Sequence, residues 1–500
     1  MRKTLLLTLL LASFSLLDAQ QSQVPWSWQN RWWNTFLEEA MLPLYLTFQP
    51  NVDIDEGQAS LSLTPLLLSP LQSDQPIVPT QWFFRNDTLR FDQGQLGLRI
   101  TLRLNAADTS FVGTFRQGMM KTQQVFACVD SLYTYPRPQT PTEPFNFTEE
   151  EVTVTRRDAQ GREVTLSGTL TFPKPQLGDD QSKKRRYPAV LLVSGSGQQN
   201  RDEELFKHRP FLIIANYLAS QGYAVLRYDD RGVGGSRGDV NEATTFDFAD
   251  DAEALFNQLR RHPRIDKSRV SIMGHSEGGL IAAIVASRNR NVHSIVMLAG
   301  PACTGRETLL QQNELLFLAT GVDSSLVAIR LSTMAEVFDS AVTVSPDRYR
   351  EVFNDIIDRH TAHLSADERK AIGFDRGTRF ALAQQLAMPW MHTFLVTDPI
   401  DYLGKVRCPI TAFYNERDLQ VSAAPNMERL RQIASRPRKT LPGHEPSGLD
   451  IVMSLELNHL FQHCQKGTVR EYLELEETFA PQVLDMLPWA LDGTPDNSRH

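Results

Sequence analysis

The passage Gly274-His275-Ser276-Glu277-Gly278 constrains this chain more than any other. It follows the apolar run from Val270 to Met273 and leads into Gly279-Leu-Ile-Ala-Ala-Ile-Val-Ala286, so a buried strand has to reverse into a helix within a few residues. Small residues around Ser276 permit a tight turn that lifts its hydroxyl above a sheet, near the positive end of the following helix. The context predicts a nucleophile at Ser276.

The surrounding sequence has the texture such a turn requires. Short apolar runs at 189–193, 224–228, 270–273, 294–298 and 410–414 alternate with helical stretches, which is the signature of a parallel sheet built from strand-helix-strand units. Glu151-Val-Thr-Val-Thr and Glu163-Val-Thr-Leu-Ser-Gly-Thr-Leu-Thr-Phe flank Asp158-Ala-Gln-Gly161 and predict a hairpin. Between the last two apolar runs lies a largely helical insertion, about 301–401, expected to cap the carboxyl edge of the sheet where ligands bind in open α/β folds. Upstream, from Trp26 to about Ser131, period-2 alternation predicts a small antiparallel β domain, either a sandwich or a barrel. The Pro-rich passage 135–144 reads as an extended linker. The expected organisation is therefore a leader at 1–19, a β-rich domain at 20–131, a linker at 132–150 and an α/β domain at 151–492. At 500 residues the length alone allows about three domains of roughly 150 residues, and the motifs reduce this to two.

Composition excludes several functions. A net charge of -8 and a sequence pI near 5.8 leave no broad basic face, so nucleic acid is not an expected partner. Arg2 and Lys3 precede an apolar stretch from Leu5 to Leu17 and then Asp18-Ala-Gln-Gln21, which reads as a secretory signal cut after Ala19, with a secreted or periplasmic product. That stretch is short for a bilayer span, and no later run is long enough to provide one. Four cysteines without regular spacing rule out a disulfide framework, leaving one incidental bridge or four free thiols.

A serine nucleophile needs two oxyanion donors, a base and a carboxylate that orients the base. The first donor is the N–H of Glu277. The second is expected from Ser194-Gly195-Ser196-Gly197 at the end of the first buried strand, with Ser196 N–H as donor and Gly195 allowing close approach. A phosphate-binding loop is the competing reading, but no Gly-Lys-Ser or Gly-Lys-Thr follows. Asp418, just beyond the run at 410–414, is the expected carboxylate, with Glu416 as alternative. His459 follows the strand-like stretch 451–455 and is the expected base. His444 reads as a solvated turn residue, His463 as structural and His275 as packing. Asp229-Asp230-Arg231 reads as an architectural Asp–Arg pair, and Arg201-Asp-Glu-Glu204 as a solvated charge run or, second, a substrate rim. No clustered ligands suggest a metal, and the chemistry needs no cofactor.

These residues together carry a resemblance. Ser194-Gly-Ser-Gly with Arg201-Asp-Glu, Tyr228-Asp-Asp-Arg-Gly-Val-Gly-Gly-Ser, Gly274-His-Ser-Glu-Gly-Gly, Glu416-Arg-Asp-Leu-Gln-Val, Asn458-His-Leu-Phe-Gln and the tail from Tyr472 resemble the secreted bacterial α/β-hydrolase esterases of the EstD type. The resemblance covers about 150–492 and implies an α/β-hydrolase fold with a helical cap. It also implies hydrolysis of short-chain carboxylic esters by a Ser276-Asp418-His459 triad; an acylated saccharide is a further candidate for the small-molecule ester substrate. The N-terminal β domain is similar, more loosely, to an extra domain such proteins carry. Leu457 stands where relatives often have Gly. Two rivals remain open: an exopeptidase of the same fold, anchoring an amine on cap carboxylates such as Glu336 or Asp339, and a catalytically silent carbohydrate-binding protein. Nothing in the sequence sets the oligomeric state.

Overall fold

The structure, a computed structural model, describes residues 24–55, 58–73, 75–118, 120–174, 185–434 and 448–492. The expected leader at 1–19 and His444 lie outside the described residues. The chain divides into two compact units, Met1–Pro136 and Arg137–His500.

In the first unit the alternating segments form eight strands: β1 (Trp32–Leu37), β2 (Leu42–Asp55), β3 (Gln58–Leu68), β4 (Gln81–Arg85), β5 (Thr88–Gln93), β6 (Leu98–Asn105), β7 (Ser110–Gln117) and β8 (Met120–Val129). They pair antiparallel in the order β3-β2-β1-β8-β7-β6-β5-β4. The period of two decides which side faces inward: Leu98, Ile100 and Leu102 of β6 are buried, while Arg99, Thr101 and Arg103 are exposed. Leu63 and Leu67 of β3 share one core with Phe84 of β4, so the two edge strands curl toward each other. No ladder joins β3 to β4 among the described residues, which places the unit between the expected sandwich and barrel. Trp28 is the hub of that core, with Trp33, Phe84 and Phe111 edge-on at centroid distances of 5.5, 5.2 and 5.4 Å.

The second unit holds β9 (Phe147–Arg157), β10 (Glu163–Pro173), β11 (Tyr187–Val193), β12 (Ala224–Tyr228), β13 (Ile265–His275), β14 (Ile295–Leu298), β15 (Ile410–Asn415) and β16 (Leu449–Ser454). The order is β9-β10-β12-β11-β13-β14-β15-β16. The hairpin β9–β10 is antiparallel, β10 is antiparallel to β12, and every pair from β12 to β16 is parallel. Helices Thr245–Arg261, Glu277–Arg288 and Ala423–Ala434 cover one face of this sheet. Pro210–Ser220 and Pro481–Asp492 cover the other. Both faces of the central strands are therefore buried, which is why β11, β12, β14 and β15 read as continuous apolar runs. Between β14 and β15 the insertion forms helices from Gly305 to Val396 with a core of its own around Phe338, Phe353, Ile357 and Phe374. Its first helix starts on a capping box in which Thr304 and Glu307 bond each other's backbone N–H.

Two expectations change. The Pro-rich passage is not a free linker from Arg137 onward. The Arg137 guanidinium donates to the carbonyls of Phe206, Leu473 and Leu475, and the Gln139 amide bonds the backbone of Thr478 and Phe479. The segment is thus packed into the second unit, and β9 begins at Phe147. Nor does Arg231 pair with its neighbour Asp229. Arg231 is 1% exposed and donates twice to Asp251 of helix Thr245–Arg261, at 2.7 and 2.8 Å, while Asp229 pairs with Arg201. Each of the two finds its partner in a segment remote in sequence. Among the described residues all four cysteines are free, and no helix is long and apolar enough to cross a membrane.

Removing one partner of a buried ion pair strands the other charge, at a cost of about 3–5 kcal/mol. Asp251→Ala, which also deprives Arg156 of a partner, is expected to destabilise the second unit by that order, read as a lower urea midpoint, and to leave the first unit's transition in place. An unchanged midpoint would contradict the role given to the Arg231–Asp251 pair.

Candidate active site

Four loops leave the carboxyl ends of β11, β13, β15 and β16 on one edge of the sheet, and each delivers part of a single cavity. Ser276 follows β13 directly and takes φ 51° and ψ -123°, a conformation a residue with a side chain adopts only when its surroundings force it. Those surroundings are backbone. Ser276 N–H donates to Leu298 O at 2.8 Å. A side chain on Gly278 would place its first carbon 2.1 Å from Val193 O, and one on Gly274 would meet Gly278 O at 2.0 Å. Glycine at both positions lets helix Glu277–Arg288 pass against β11, and Ser276 is carried to the edge of the cavity.

Asp418 comes three residues after β15 and is 3% exposed. Its Oδ1 accepts from the N–H groups of Gln420 and Val421 at 2.8 and 2.9 Å, and its Oδ2 faces His459 Nδ1 at 2.8 Å. His459 is also 3% exposed and lines the cavity together with Ser276. With Nδ1 bound to a carboxylate that accepts two backbone donors, the imidazole is held in the tautomer that leaves Nε2 free to accept a proton. The two alternatives lie apart from this group. Glu416 is occupied with Glu456 N–H, and His463 pairs with Glu477 at 2.8 Å on the exposed side.

The loop after β11 is fixed residue by residue, each time by a carboxylate. Ser194 Oγ donates to Asp230, Gly195 N–H to Glu203 at 2.6 Å, and Ser196 Oγ to Glu277 at 2.7 Å. Gly195 also lies so near Ser276 that an added side-chain carbon would be 3.0 Å from Ser276 Cβ. Ser196 of this loop and Glu277 of the first turn of helix Glu277–Arg288, the residues expected to supply the oxyanion donors, line the same cavity as Ser276. The Glu277 side chain does more than follow Ser276 in the chain. It is buried and accepts from Ser196, from Thr245 Oγ1 and from Trp390 Nε1 of the insertion, at 2.7, 2.7 and 2.8 Å. Burial pushes its carboxyl above the usual range despite those three donors.

Two residues given minor parts by the sequence belong to this site. Glu203 sits in the run expected to be solvated, yet Arg201, Asp202 and Glu203 fold inward: Asp202 and Glu203 are 3% and 6% exposed, and Asp202 pairs with Arg227 and Arg209. His275, read as packing, lines the cavity and contacts both Glu203 and the His459 carbonyl. No local spacing marks either residue, because the partners lie 72 and 184 positions away.

The cavity encloses about 260 Å³. Helices Gly305–Ala319 and Pro389–Val396 roof it with Thr308, Leu309 and Gln312, and with Trp390, Met391 and Phe394. The strand order, the turn at Ser276 and the position of the inserted helices define the architecture. The second unit has the α/β-hydrolase fold.

The chain is similar to several known proteins. Residues 209–441 match the family model described as serine aminopeptidase, S33. The chain is 27% identical over 295 residues to esterase EstD of Thermotoga maritima, an alignment spanning 58% of this chain and 62% of that protein, less than two thirds of the relative's length. Among solved structures it is similar to Pyrococcus furiosus esterase Pf2001, at 15% identity and TM-score 0.39, covering 68% of this chain and 93% of the other. It is also similar to hypothetical protein PA2218 of Pseudomonas aeruginosa, at 15% identity and TM-score 0.40, covering 69% and 98%.

Within this α/β-hydrolase unit Asp230 is fully enclosed, and burial raises its pKa from 3.8 to about 8 although Ser194 and Gln199 donate to it. The fold thus favours the protonated carboxyl. Its contribution to stability is complete below about pH 4 and is lost as pH rises through about 8. Asp230→Asn should therefore lose less stability than wild type between about pH 5 and about pH 9, read from urea midpoints. An equal loss in the two proteins would contradict burial of this carboxyl in its neutral form.

Proposed function

We propose that the second unit is a serine hydrolase that cleaves carboxylic esters through an acyl-enzyme on Ser276. The observation that carries this reading is the His459–Asp418 hydrogen bond in the same cavity as a serine held at positive φ. Ser276 Oγ attacks the ester carbonyl while His459 Nε2 takes its proton, and Asp418 stabilises the imidazolium that forms. The tetrahedral oxyanion rests on the N–H groups of Ser196 and Glu277. The carbon–oxygen bond to the alcohol then breaks and His459 returns its proton to that oxygen. Water, deprotonated by the same histidine, releases the acid and restores Ser276. Similarity to a protein named as an esterase supports the assignment.

The cavity lining supports an uncharged substrate. Among the described residues it holds no Lys, Arg or Asp, and its two carboxylates are committed: Glu277 to three donors, Glu203 to Gly195 and His275. Glu336 and Asp339, the cap carboxylates an aminopeptidase could use, pair with Arg359 and Arg306 and do not line it. The amides of Gln199, Gln312, Gln385 and Gln420 suit a neutral, hydroxyl-bearing alcohol such as an acylated saccharide, and the limited volume suits a short acyl chain. We further propose that the leader at 1–19 directs export.

Side-by-side assays of wild type and Ser276→Ala on aryl acetates, acetylated sugars and an aminoacyl anilide test this reading. Ester turnover is expected in wild type and a loss of 10³-fold or more in the variant. Anilide turnover without ester turnover would replace the esterase with the peptidase suggested by the name of the matched family. Unchanged ester hydrolysis in Ser276→Ala would overturn the mechanism.

A further inference from the structure

The residue before the nucleophile has a bonding pattern that fixes its protonation. His275 Nδ1 lies 2.9 Å from Glu203 Oε1, and its Nε2 lies 2.9 Å from the main-chain oxygen of His459. A carbonyl oxygen accepts only. Glu203 Oε1 accepts the Gly195 N–H at 2.6 Å, and as a carboxylate it accepts from the ring as well. Both imidazole nitrogens therefore face acceptors, and a neutral imidazole, with one N–H, would leave a buried pair of lone pairs in contact. The ring is 7% exposed, so water does not relieve that conflict.

We infer that His275 is held doubly protonated between Glu203 and the His459 carbonyl, and that it acts as a positioning residue that sets the acid limit of catalysis by His459. This rests on the reading of His459 as the catalytic base. Two consequences follow from the geometry. The Glu203–His275 pair ties the loop of Gly195 and the loop of His459 to the end of β13, so oxyanion donors, nucleophile and base share one rigid frame. The cation also lies beside the base: the two rings are 4.7 Å apart between centroids, at 46°. A fixed positive charge at that distance opposes a second one on His459, so the base stays neutral, and able to accept a proton, to lower pH.

The charged groups around the ring agree with this arrangement. Glu203 faces it from the loop after β11, and His459, backed by Asp418, from the loops after β16 and β15; the remaining ring neighbour, Phe461, is uncharged. Asp230 couples to Glu203, and its own charge is suppressed by burial. Burial works to lower the His275 pKa, but the Glu203 charge and hydrogen bond and the His459 carbonyl hold it above the ordinary value.

The test uses the full-length protein with ¹⁵N-labelled histidine. Both ring nitrogens of His275 are expected to carry protons at about pH 7, where an ordinary imidazole is largely neutral, with assignment by their loss in His275→Gln. In the same variant the acid limb of the kcat/KM profile for an aryl ester is expected to move up by about 0.5 to 2 pH units. A purely structural role would lower kcat/KM without moving the limb. The inference is overturned if one His275 nitrogen is unprotonated at about pH 7 in wild type, or if the folded variant keeps the wild-type limb. The NMR arm needs no turnover, and if His275→Gln fails to fold the ring signals are assigned by through-bond correlation to the His275 backbone in wild type. It also separates this inference from the ester reading, whose failure shows as undiminished hydrolysis by Ser276→Ala.

Discussion

Everything in the proposed site depends on how closely one helix approaches one strand. Helix Glu277–Arg288 comes so near to β11 that no side chain fits at Gly278 against Val193 O. That contact forces the chain at Ser276 through a positive φ, at a cost of about 1–3 kcal/mol that only a well-packed sheet can absorb. The packing is available because the helix is buried nearly all round, from Leu280 to Ala286, against strands themselves covered on both faces. The same approach brings Gly195, two residues past β11, beside Ser276, where an added side-chain carbon would lie 3.0 Å from Ser276 Cβ.

Holding that loop still is a separate task, and the protein assigns it to acids. Asp230, Glu203 and Glu277 arrive from three different segments and bind three consecutive residues, 194, 195 and 196. Each buried carboxyl would be unfavourable alone. One is neutral by burial, one is paired with His275, and one is spread over three donors. Through Trp390 the last of these also reaches the cap, so a single residue touches the oxyanion loop, the helix that follows the nucleophile and the roof of the cavity. Glu277 thereby joins the roof of the cavity to the loop after β11.

Much of this was legible in the residues. Buried parallel strands are continuous apolar runs, so β11 to β15 could be read with errors of a few residues, and the glycine spacing around Ser276 marked the strand-to-helix turn. The order of Ser276, Asp418 and His459 followed from where strands end. What could not be read was pairing over distance. Arg201-Asp-Glu-Glu204 has the composition of a surface loop, and only the fold shows that its second and third residues turn inward to Arg227 and His275. Arg231 finds Asp251 rather than an adjacent acid, and the Pro-rich passage docks because Arg137 meets carbonyls some 70 and 340 positions away. Charge and proline patterns report solvation and extension on average. They do not name a partner.

The central claim is that an ester acylates Ser276. Intact mass and peptide mapping after treatment with a small phosphonate ester test it most directly. One adduct per chain is expected, on the peptide carrying Ser276, with loss of hydrolytic activity in step with labelling and no adduct in Ser276→Ala. Labelling at another residue, or full activity in a protein fully labelled at Ser276, would contradict the account.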